Sequence, residues 1–361
     1  MRDFARERIA PNAHKWSEEG KFPTEIVPEL ARLGLLGLAV PTEHGGAGLD
    51  ALTIALVMEE LAAADGSVAL TIAAHNSLCI GHLLVAASEE QKARWLPPLA
   101  SGERLGCWAL TEPGSGSDAV AARTRAEKRD GRWVLNGTKQ FITNPNLAGF
   151  AVVIAASAEK KLCAFGIPMT AKGIRAGRPE KKMGLHASDT APILLDECAV
   201  PEADRIGGEG TAFEDVKKVL DRGRIGIGAL SIGLGRGALE VATAYSKERR
   251  QFGRPISDFQ MIRWKLARAR TELDAARLLV HRAAQLADEG KPFRLEASMA
   301  KLYASEAGSR AADSSLQVLG GYGYMRDQPI ERAVRDARLM EIGEGTSEVQ
   351  RIVIARELLR A

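Results

Sequence analysis

The spacing of apolar residues divides the chain into three stretches of different texture. The first, up to residue 106, is rich in Ala, Leu and Glu, and its helical pieces are separated by Pro23, Pro41 and the loop PTEHGGAGLD. Within it, ALTIALVMEELAAADG has the length and composition of a buried helix that ends at Gly66. The pattern predicts an N-terminal all-α domain over residues 1–106.

Between residues 107 and 208 the pattern changes to short alternating runs, which are typical of β-strands. Asp130-Gly131 and Asn136-Gly137 are flanked by such runs, and both dipeptides are strong signals for two-residue hairpin turns. The segments GFAVVIAAS, KLCAFGIP and APILLDECAV supply further strands. We therefore predict a small antiparallel β-barrel or sandwich domain with a hairpin at each dipeptide.

From residue 209 to 361 the helical period returns. Apolar residues recur there in steps of four and three, as in the seam of an antiparallel bundle: Ile262, Leu266, Ala269, Leu273, Ala276, Val280 and Ala283. Before them, RIGIGALSIGLGRGALEVA places glycines in a helical stretch, which permits close helix packing or close approach of a ligand. The whole pattern predicts an α+β multidomain fold that ends in a C-terminal four-helix bundle.

Composition narrows the function classes. The chain of 361 residues exceeds one typical core, and its 45% hydrophobic and 26% charged residues are ordinary for a globular protein. Its 49 basic and 46 acidic residues are well mixed, which argues against a nucleic-acid binder. The four cysteines (Cys79, Cys107, Cys163 and Cys198) form no CxxC pair, so we predict no metal or disulfide framework and a reducing compartment.

Targeting segments and common catalytic motifs are also missing from the pattern. No apolar run approaches the ~18–20 residues of a membrane span, and MRDFARERIAP lacks the apolar segment of a signal peptide. A soluble, cytoplasmic protein is expected. There is no P-loop, HExxH or GxSxG. Gly226-Ile227-Gly228 is the nearest approach to the dinucleotide-binding fingerprint of a Rossmann fold, but it lies in a helical stretch with no preceding strand, so it is given little weight.

Several Gly-flanked polar clusters have two interpretations each. ALTEPGSGSDA (109–119) offers backbone N–H groups and hydroxyls for an anion or a heteroaromatic edge, or is a plain Ser/Gly turn. ERRQFGRPISDFQ (248–260) places arginines at a helix end, either to complement the dipole or to bind a phosphate. FITN (141–144) and QVLGGYGYMRD (317–327) are a strand and a helix cap, or surfaces for a ligand.

One carboxylate has an unusual setting. Glu344 stands between Gly343 and Gly345 in LMEIGEGTSEVQR, just before the last predicted helix. Thr346 or Ser347 would cap that helix, and Ser347 with Gln350 fits a capping box, so Glu344 could simply stabilise the helix N-terminus. Alternatively, the permissive glycines present the carboxylate for chemistry. Taken alone, these residues favour the structural interpretation.

Taken together, eight segments resemble the FAD-dependent acyl-CoA dehydrogenases over nearly the whole chain, in the same order and spacing. They are PTEHGGAGLD, MEELAAADGSVA, TEPGSGSDA, LNGTKQFITN, KMGLHASDT, RRQFGRPISDFQ, QVLGGYGY and EGTSEVQRIVIARELL. The resemblance implies FAD, a coenzyme A thioester substrate, an electron-transfer flavoprotein as electron acceptor and usually a homotetramer.

The resemblance also implies roles for individual positions. The residues that would line the flavin are Trp108, Leu110, Thr111, Gly116, Ser117, Phe141, Ile142 and Thr143. The remaining FAD contacts would be Arg249 at the pyrophosphate across a subunit boundary, Phe252 and Gln260 nearby, Gln317, Gly320 and Gly321 at the adenosine half, and Thr346 and Glu348. The substrate-side positions would be Ser117, Ser188, Asp221, Arg224 and Gly345.

The implied reaction explains why a buried carboxylate is needed. Desaturation of an acyl thioester removes an α-proton as a hydride leaves the β-carbon for FAD, and a carboxylate becomes a sufficient base where water is excluded. Some branches of the family place the base one residue before the matching arginine, but here that residue is Gly223, before Arg224. Glu344 is therefore the implied base, and the motifs look most like the short-chain (butyryl-CoA) and related bacterial branches.

Two positions depart from the family pattern. Gly343 stands where tyrosine is common, and His186 where arginine is common. The acyl group and the pathway remain open. Two alternatives also remain open: a flavin oxidase of the same fold that reduces oxygen, and a non-catalytic acyl-CoA-binding helical assembly.

Overall fold

The computed structural model describes residues 1–157, 159 and 161–360. Asp50 and Asp65 begin two of the N-terminal helices, because each carboxylate accepts the backbone N–H three residues later, from Thr53 and Val68. The helices of this region are α1 (Arg2–Phe4, continued by a π-helical turn Ala5–Ile9), α2 (Ala13–Glu19), α3 (Val27–Arg32), α4 (Ala51–Ala64), α5 (Gly66–Ala73, continued by a π-helical turn Ala74–Ile80), α6 (Gly81–Ala86) and α7 (Glu89–Ala100).

The middle region is one eight-stranded sheet. Its strands are β1 (Leu105–Ala109), β2 (Arg125–Arg129), β3 (Arg132–Thr143), β4 (Ala148–Ala156), β5 (Leu162–Pro168), β6 (Ile174–Ala176), β7 (Thr190–Pro201) and β8 (Arg205–Ile206). They follow the order β6-β7-β3-β2-β4-β5-β8, with β1 beside β4. The sheet is mixed, since β1 and β2 pair with β4 in parallel, whereas the sequence predicted antiparallel strands only.

One of the two predicted hairpin turns is wrong. Asp130 and Gly131 do join β2 to β3, both with positive φ. Asn136 and Gly137 instead lie inside β3, where the register with β7 shifts, as in a β-bulge. The glycine is needed there because a Cβ at Gly137 would lie 2.6 Å from the Thr124 Oγ1 atom. The dipeptide therefore provides close strand packing and does not reverse the chain.

The C-terminal region is a helical bundle with a small two-stranded ribbon. Its elements are α8 (Ala212–Glu248), β9 (Arg250–Gln251), β10 (Arg254–Pro255), α9 (Gln260–Asp288), α10 (Arg294–Leu319), α11 (Pro329–Met340) and α12 (Ser347–Arg360). In the predicted seam of α9, Ile262 and Leu266 are only partly buried, while the five later members are buried. Glycine lets α8 and α10 pack closely, because a Cβ at Gly308 would lie 2.4 Å from the Ser231 carbonyl oxygen.

The apolar core connects the two helical regions. One buried cluster contains Leu61 of α4, Leu230 of α8, Ala300 of α10 and Met340 of α11, whereas the sheet encloses a separate cluster. The helix–sheet–helix order confirms the predicted fold class. Domain boundaries at residues 106 and 208 stay predictions.

Two helical stretches are long and apolar enough to cross a membrane, although inspection of the sequence found none. In Gly66–Ala86 and Ala212–Glu248, 72% and 83% of the most apolar window is buried inside the protein, as in core helices. Within the described ranges, all four cysteines are buried and free, and no group of three His, Cys, Asp or Glu side chains could hold a metal ion.

Candidate active site

The turn between α11 and α12 carries Glu344 in an uncommon backbone conformation. Glu344 has φ 53° and Gly345 has φ 97°, so two successive residues are left-handed. Such a conformation is unfavourable for a residue with a side chain and persists only where its surroundings enforce it. Glu344 therefore belongs to a constrained turn.

The Glu344 carboxylate is directed at α8. Its Oε2 atom is shielded from solvent and has no hydrogen-bond partner in the described chain, although the residue as a whole is half-buried. A Cβ at Gly223 would lie 2.1 Å from this oxygen. The absence of a side chain at Gly223 thus leaves the space into which the carboxylate fits. A side chain at residue 223 is incompatible with this position of Glu344.

The surroundings make the Glu344 carboxyl weakly acidic. Burial raises its pKa from the ordinary 4.5 to about 7, while the positive charges of Lys301 and Arg224 oppose that rise. A carboxyl with a pKa near neutrality can accept a proton at physiological pH. This group has the acid–base properties of a general base.

Asp221 and Arg224, both expected on the substrate side, contact each other beside this turn. The Arg224 Nη1 atom donates to the Asp221 Oδ1 atom (2.6 Å) and to the Ser298 hydroxyl (3.1 Å), and Arg294 Nε donates to Asp221 Oδ2 (2.9 Å). The Arg224 Nε atom is buried with no acceptor in the described chain. A buried donor of this kind can bind a ligand oxygen.

Ser188 and Ser117 lie in the middle region, on different loops. The Ser188 hydroxyl is buried without a partner among the described residues, and its carbonyl oxygen accepts from Lys182 Nζ at 2.7 Å. Ser117 is exposed in the loop that follows β1. No hydrogen bond between described residues joins either serine to Asp221 or Arg224.

The structure brings the two predicted flavin segments together. The Gln140 N–H donates to the Thr111 carbonyl oxygen at 2.8 Å, which aligns the end of β3 with the residues that follow β1. The Lys139 Nζ atom donates to the Leu110 carbonyl oxygen (3.0 Å) and to the Glu112 carboxylate (2.7 Å). The residues that follow β1 therefore lie beside the end of β3, which brings the two predicted flavin segments next to each other.

Phe141, near the end of β3, points away from the protein interior. It lies where the register between β3 and β7 shifts, has φ 56° and is 65% exposed, although it is a large apolar side chain. Ile142 beside it is buried and Thr143 is half-buried. A bulge that re-aims an aromatic side chain is typical of a binding site.

The predicted flavin residues in β1 and in the loop after it differ in exposure. Trp108 is buried, and its Nε1–H donates to His82 Nδ1 at 3.3 Å, while burial lowers the pKa of His82 to about 4 and keeps it neutral. Leu110 is buried, whereas Gly116 is exposed and would have no atom within 4 Å of an added Cβ. The loop backbone is therefore open to a planar ligand.

A second predicted group of FAD residues surrounds a cavity of about 480 Å³. Arg249, Gly320, Gly321 and Tyr322 line it, and both glycines have open space where a Cβ would lie. The exposed Arg249 guanidinium can bind a phosphate, and the two glycines let a ligand approach the backbone closely, so these residues fit one end of FAD. Among the described lining residues, none comes from the sheet.

The other expected FAD residues are placed as follows. Phe252 is 92% exposed, and Gln260, Gln317 and Glu348 are also exposed. Thr346 caps α12, since its Oγ1 accepts the Val349 N–H at 3.2 Å.

The predicted capping box is wrong, because the Ser347 hydroxyl is buried without a partner in the described chain. Gln350 instead turns back and donates to the Gly345 carbonyl oxygen at 3.0 Å.

A larger cavity of about 520 Å³ lies between α8 and the N-terminal helices. Asp221 lines it, together with Lys218 and Arg222 from the same side of α8. Within the described chain, Glu344 does not line this cavity. Of the predicted substrate residues, Asp221 therefore lines this cavity and is also the carboxylate partner of Arg224.

The two departures from the family pattern have clear local settings. The His186 ring contacts its own loop, with Nε2 lying 2.9 Å from the Lys182 carbonyl oxygen. At Gly343 an added Cβ would make only ordinary contacts, the nearest at 3.6 Å from the Leu339 carbonyl oxygen. The backbone therefore accepts a side chain at residue 343, and glycine there leaves space.

Sequence reasoning missed four buried polar residues that support the site, and it gave Gln350 a different role, in a capping box. The four are His82, Glu112, Lys139 and Lys301. One signal was present for Lys301. It lies on the same helix face as Ala297, Ala304 and Gly308, so a lysine interrupts a stripe of small buried residues. A cation at such a position needs a specific acceptor.

A helix–sheet–helix chain with a near-neutral carboxyl in its helical bundle and an exposed aromatic side chain near the end of a sheet strand has the features of a flavin-dependent oxidoreductase. Three domain profiles of acyl-CoA dehydrogenases match the chain: the N-terminal domain at residues 1–103, the middle domain at 107–198 and the C-terminal domain at 210–359. The chain belongs to the acyl-CoA dehydrogenase family, and it is an oxidoreductase whose cofactor is FAD.

Relatives and solved structures are similar over the full chain. The human mitochondrial short-chain specific acyl-CoA dehydrogenase is 44% identical over 364 residues, covering 100% of this chain and 88% of the relative. A chain in a structure of the electron transferring flavoprotein of Acidaminococcus fermentans has a TM-score of 0.98 at 40% identity, covering 100% and 96%. Glutaryl-CoA dehydrogenase of Mycobacterium smegmatis with FADH2 has a TM-score of 0.95 at 32% identity, covering 100% and 92%.

Proposed function

We propose that this protein oxidises a short-chain acyl-CoA to the trans-2-enoyl-CoA, with Glu344 as the base, and passes the electrons to an electron-transfer flavoprotein. One observation carries the proposal: the Glu344 Oε2 atom is enclosed over Gly223, and burial raises the pKa of this carboxyl to about 7. The short-chain name of the human relative supports the substrate class. A similar chain is present in a structure of an electron transferring flavoprotein, and this supports an electron-transfer flavoprotein as the electron acceptor.

The reaction divides between the chain and its cofactor. Bound FAD supplies the acceptor for the hydride that leaves the substrate β-carbon. Glu344 takes the α-proton on its carboxylate, and the missing side chain at Gly223 lets that carboxylate reach its position. Arg224 and Lys301 favour the ionised form, which is the form that can accept a proton.

The backbone of the same turn offers an oxyanion donor. In the described chain, the Glu344 N–H donates to no backbone or side-chain acceptor. A thioester carbonyl that receives this hydrogen bond would be stabilised as negative charge develops on its oxygen. The left-handed Gly345, which has no side chain, leaves room for the thioester beside the N–H.

The FAD residues remain proposals at two separate places. We assign Trp108, Leu110, Thr111, Gly116, Ser117 and residues 141–143 to the flavin end, and Arg249, Phe252, Gln260, Gln317, Gly320 and Gly321 to the phosphate and adenosine end. The cavity at Arg249 is not lined by described residues of the sheet, which supports a FAD site shared between subunits of a homotetramer. Thr346 and Glu348 would complete the site, and a cytoplasmic location stays a prediction.

Anaerobic reduction of the bound flavin tests the proposal. Butyryl-CoA should bleach the flavin absorbance of the wild-type protein, and a panel of longer, branched and aromatic acyl-CoAs should bleach it more slowly. Glu344→Gln is nearly isosteric and cannot accept the proton, so it should bind FAD and lose at least about 10²–10⁴ of the reduction rate. A variant as fast as the wild type would reject Glu344 as the base and favour the non-catalytic alternative.

The electron acceptor needs a separate measurement. Steady-state turnover of butyryl-CoA is compared with an electron-transfer flavoprotein or with oxygen as the acceptor. The dehydrogenase proposal expects faster turnover with the flavoprotein. A faster oxygen reaction would instead assign the chain to the oxidases of the same fold.

A further inference from the structure

The turn that carries Glu344 is anchored by two buried side chains from different helices. The Lys301 Nζ atom of α10 donates to the Gly345 carbonyl oxygen at 2.7 Å. Gln350 of α12 donates to the same oxygen at 3.0 Å and to the Glu344 carbonyl oxygen at 3.4 Å. Both side chains are completely buried, so water cannot replace either donor.

We propose that Lys301 is a positioning residue for Glu344: together with Gln350 it fixes the left-handed turn that carries the base, and its ammonium group supplies the positive charge that the base faces from α10. This proposal rests on the proposed role of Glu344 as the base. It concerns how the base is held and charged, and it assigns Lys301 no contact with substrate or FAD.

The geometry explains why the lysine acts through the backbone. Glu344 Oε2 has no hydrogen-bond partner in the described chain, so the ammonium group does not neutralise the carboxylate by direct pairing. A direct ion pair would lower the basicity of the carboxylate strongly, whereas no nearby charge would leave it protonated at neutral pH. A cation held at the adjacent carbonyl oxygen gives a result between these two cases, because it lowers the pKa of the Glu344 carboxyl without pairing directly with the carboxylate.

The charged groups near the turn come from three helices and the turn itself. Lys301 of α10 and Arg224 of α8 face Glu344, and Arg224 is itself bound to Asp221. Glu341, Glu348 and Glu344 act on Lys301, against the opposing charge of Arg224. Burial lowers the pKa of Lys301 to about 8, so the lysine still carries its proton at pH 7.

Three substitutions separate the charge of Lys301 from its hydrogen bond. Lys301→Gln removes the charge and retains an N–H donor, Lys301→Arg retains the charge, and Gln350→Met loosens the turn without a change in charge. The flavin content of each purified protein is measured first. The rate of anaerobic flavin reduction by butyryl-CoA is then followed from about pH 6 to about pH 9, where its midpoint reports the base.

The proposal predicts a different rate and pH midpoint of flavin reduction for each of the three variants. Lys301→Gln should raise the midpoint by about one unit, which makes reduction about fivefold slower at pH 7 and nearly equal to the wild type at about pH 9. Lys301→Arg should keep the wild-type midpoint. Gln350→Met should slow reduction by about tenfold at every pH without moving the midpoint, since the base is misplaced and its charge environment is intact.

Two outcomes would overturn the proposal. An unchanged midpoint in Lys301→Gln would remove the role of the charge, and an unchanged rate in Gln350→Met would remove the role of the anchored turn. The measurement on Gln350→Met tests the proposal even when Lys301→Gln does not fold. Because Glu344→Gln tests the base separately, a fast Glu344→Gln protein refutes the proposed function, whereas a slow one with an unshifted Lys301→Gln midpoint refutes only this inference.

The pH dependence of stability gives a readout that does not require turnover. The stability difference between the wild type and Glu344→Gln reports the protonation of Glu344 in the folded protein. In the Lys301→Gln background this difference should extend to higher pH by about one unit. An unchanged range would contradict the inference independently of any rate.

Discussion

Two buried lysine–glutamate neighbourhoods in this protein have opposite effects on their carboxylates. In the sheet, the Lys139 Nζ atom lies 2.7 Å from the Glu112 carboxylate, and both side chains are buried. In the bundle, the equally buried Lys301 binds a carbonyl oxygen and leaves Glu344 Oε2 without a partner in the described chain. The first arrangement fixes a charge pair, and the second keeps a carboxyl that can titrate.

The pKa values follow from this difference. Burial opposes ionisation of Glu112, but the Lys139 charge and hydrogen bonds from Lys139 and the Arg123 and Thr124 N–H groups outweigh it, so the pKa of Glu112 is lowered. At Glu344 burial prevails over the charges of Lys301 and Arg224, and the pKa rises to about 7. Direct hydrogen bonds to a buried carboxylate therefore decide whether it is structural or able to take a proton.

The largest expected effect comes from breaking the fixed pair. Lys139→Met leaves an unpaired buried carboxylate and should lower the free energy of unfolding by about 3–5 kcal/mol, measured by chemical denaturation. Lys161 pairs with Glu159 at the surface, so the matched Lys161→Met change should stay within about 0.5 kcal/mol. Lys139→Met with Glu112→Met should recover part of the loss, and equal effects at Lys139 and Lys161 would contradict the comparison.

The next effect concerns the space that Glu344 occupies. Gly223→Ala should displace the carboxylate, because a Cβ there would lie 2.1 Å from Oε2, and it should slow flavin reduction by about 10²-fold. Gly226→Ala lies one helical turn on the same helix and meets its nearest atom, Ser77 Oγ, at an ordinary 3.5 Å. The control should keep most of the rate. Similar losses in both variants would point to a general effect on α8.

A smaller effect is expected in the pH dependence of stability. Because the folded-state pKa of Glu344 is raised from 4.5 to about 7, the folded protein binds more protons between these values, and its stability falls as pH rises through this window. Relative to Glu344→Gln, the wild type should lose about 2 kcal/mol between about pH 5 and about pH 7. A difference that grew with pH would mean that the folded-state pKa is depressed.

The smallest effect distinguishes the two hydroxyls at the start of α12. Thr346→Val removes the acceptor of the Val349 N–H and should cost about 1 kcal/mol in unfolding free energy. Ser347→Ala removes a hydroxyl that has no partner in the described chain, so it should be neutral or slightly stabilising. A larger loss for Ser347→Ala would restore the capping box that the sequence predicted.

Local pattern and resemblance predicted more of the fold than of the supporting polar contacts. The helix–sheet–helix order and the Asp130-Gly131 turn follow from residues close together in the chain, and both are present. Asn136-Gly137 has the same local signal but forms a bulge, because Thr124 approaches its backbone. Short-range rules cannot include a neighbour thirteen residues away that is placed by strand pairing.

The candidate site shows the same limit. The resemblance directed attention to Glu344 and to the empty position at Gly223, and the structure brings these two residues into contact. It gave no role to Lys139, Lys301, Gln350 or His82, although each is buried beside a predicted site segment. Each is polar in a setting where burial requires a partner, and the partners lie on other elements of the chain.

The sequence by itself determined the family, the order of helices and sheet, and the glycines on both sides of Glu344, because these are properties of residue types and their spacing. Only the tertiary structure decided that Glu344 lies against α8 with a carboxyl pKa near 7, while Glu112 stays ionised. The physical reason is that a carboxylate acquires its basicity from desolvation and from charges at short range. Those neighbours come from α8 and α10, and folding alone brings them to the turn.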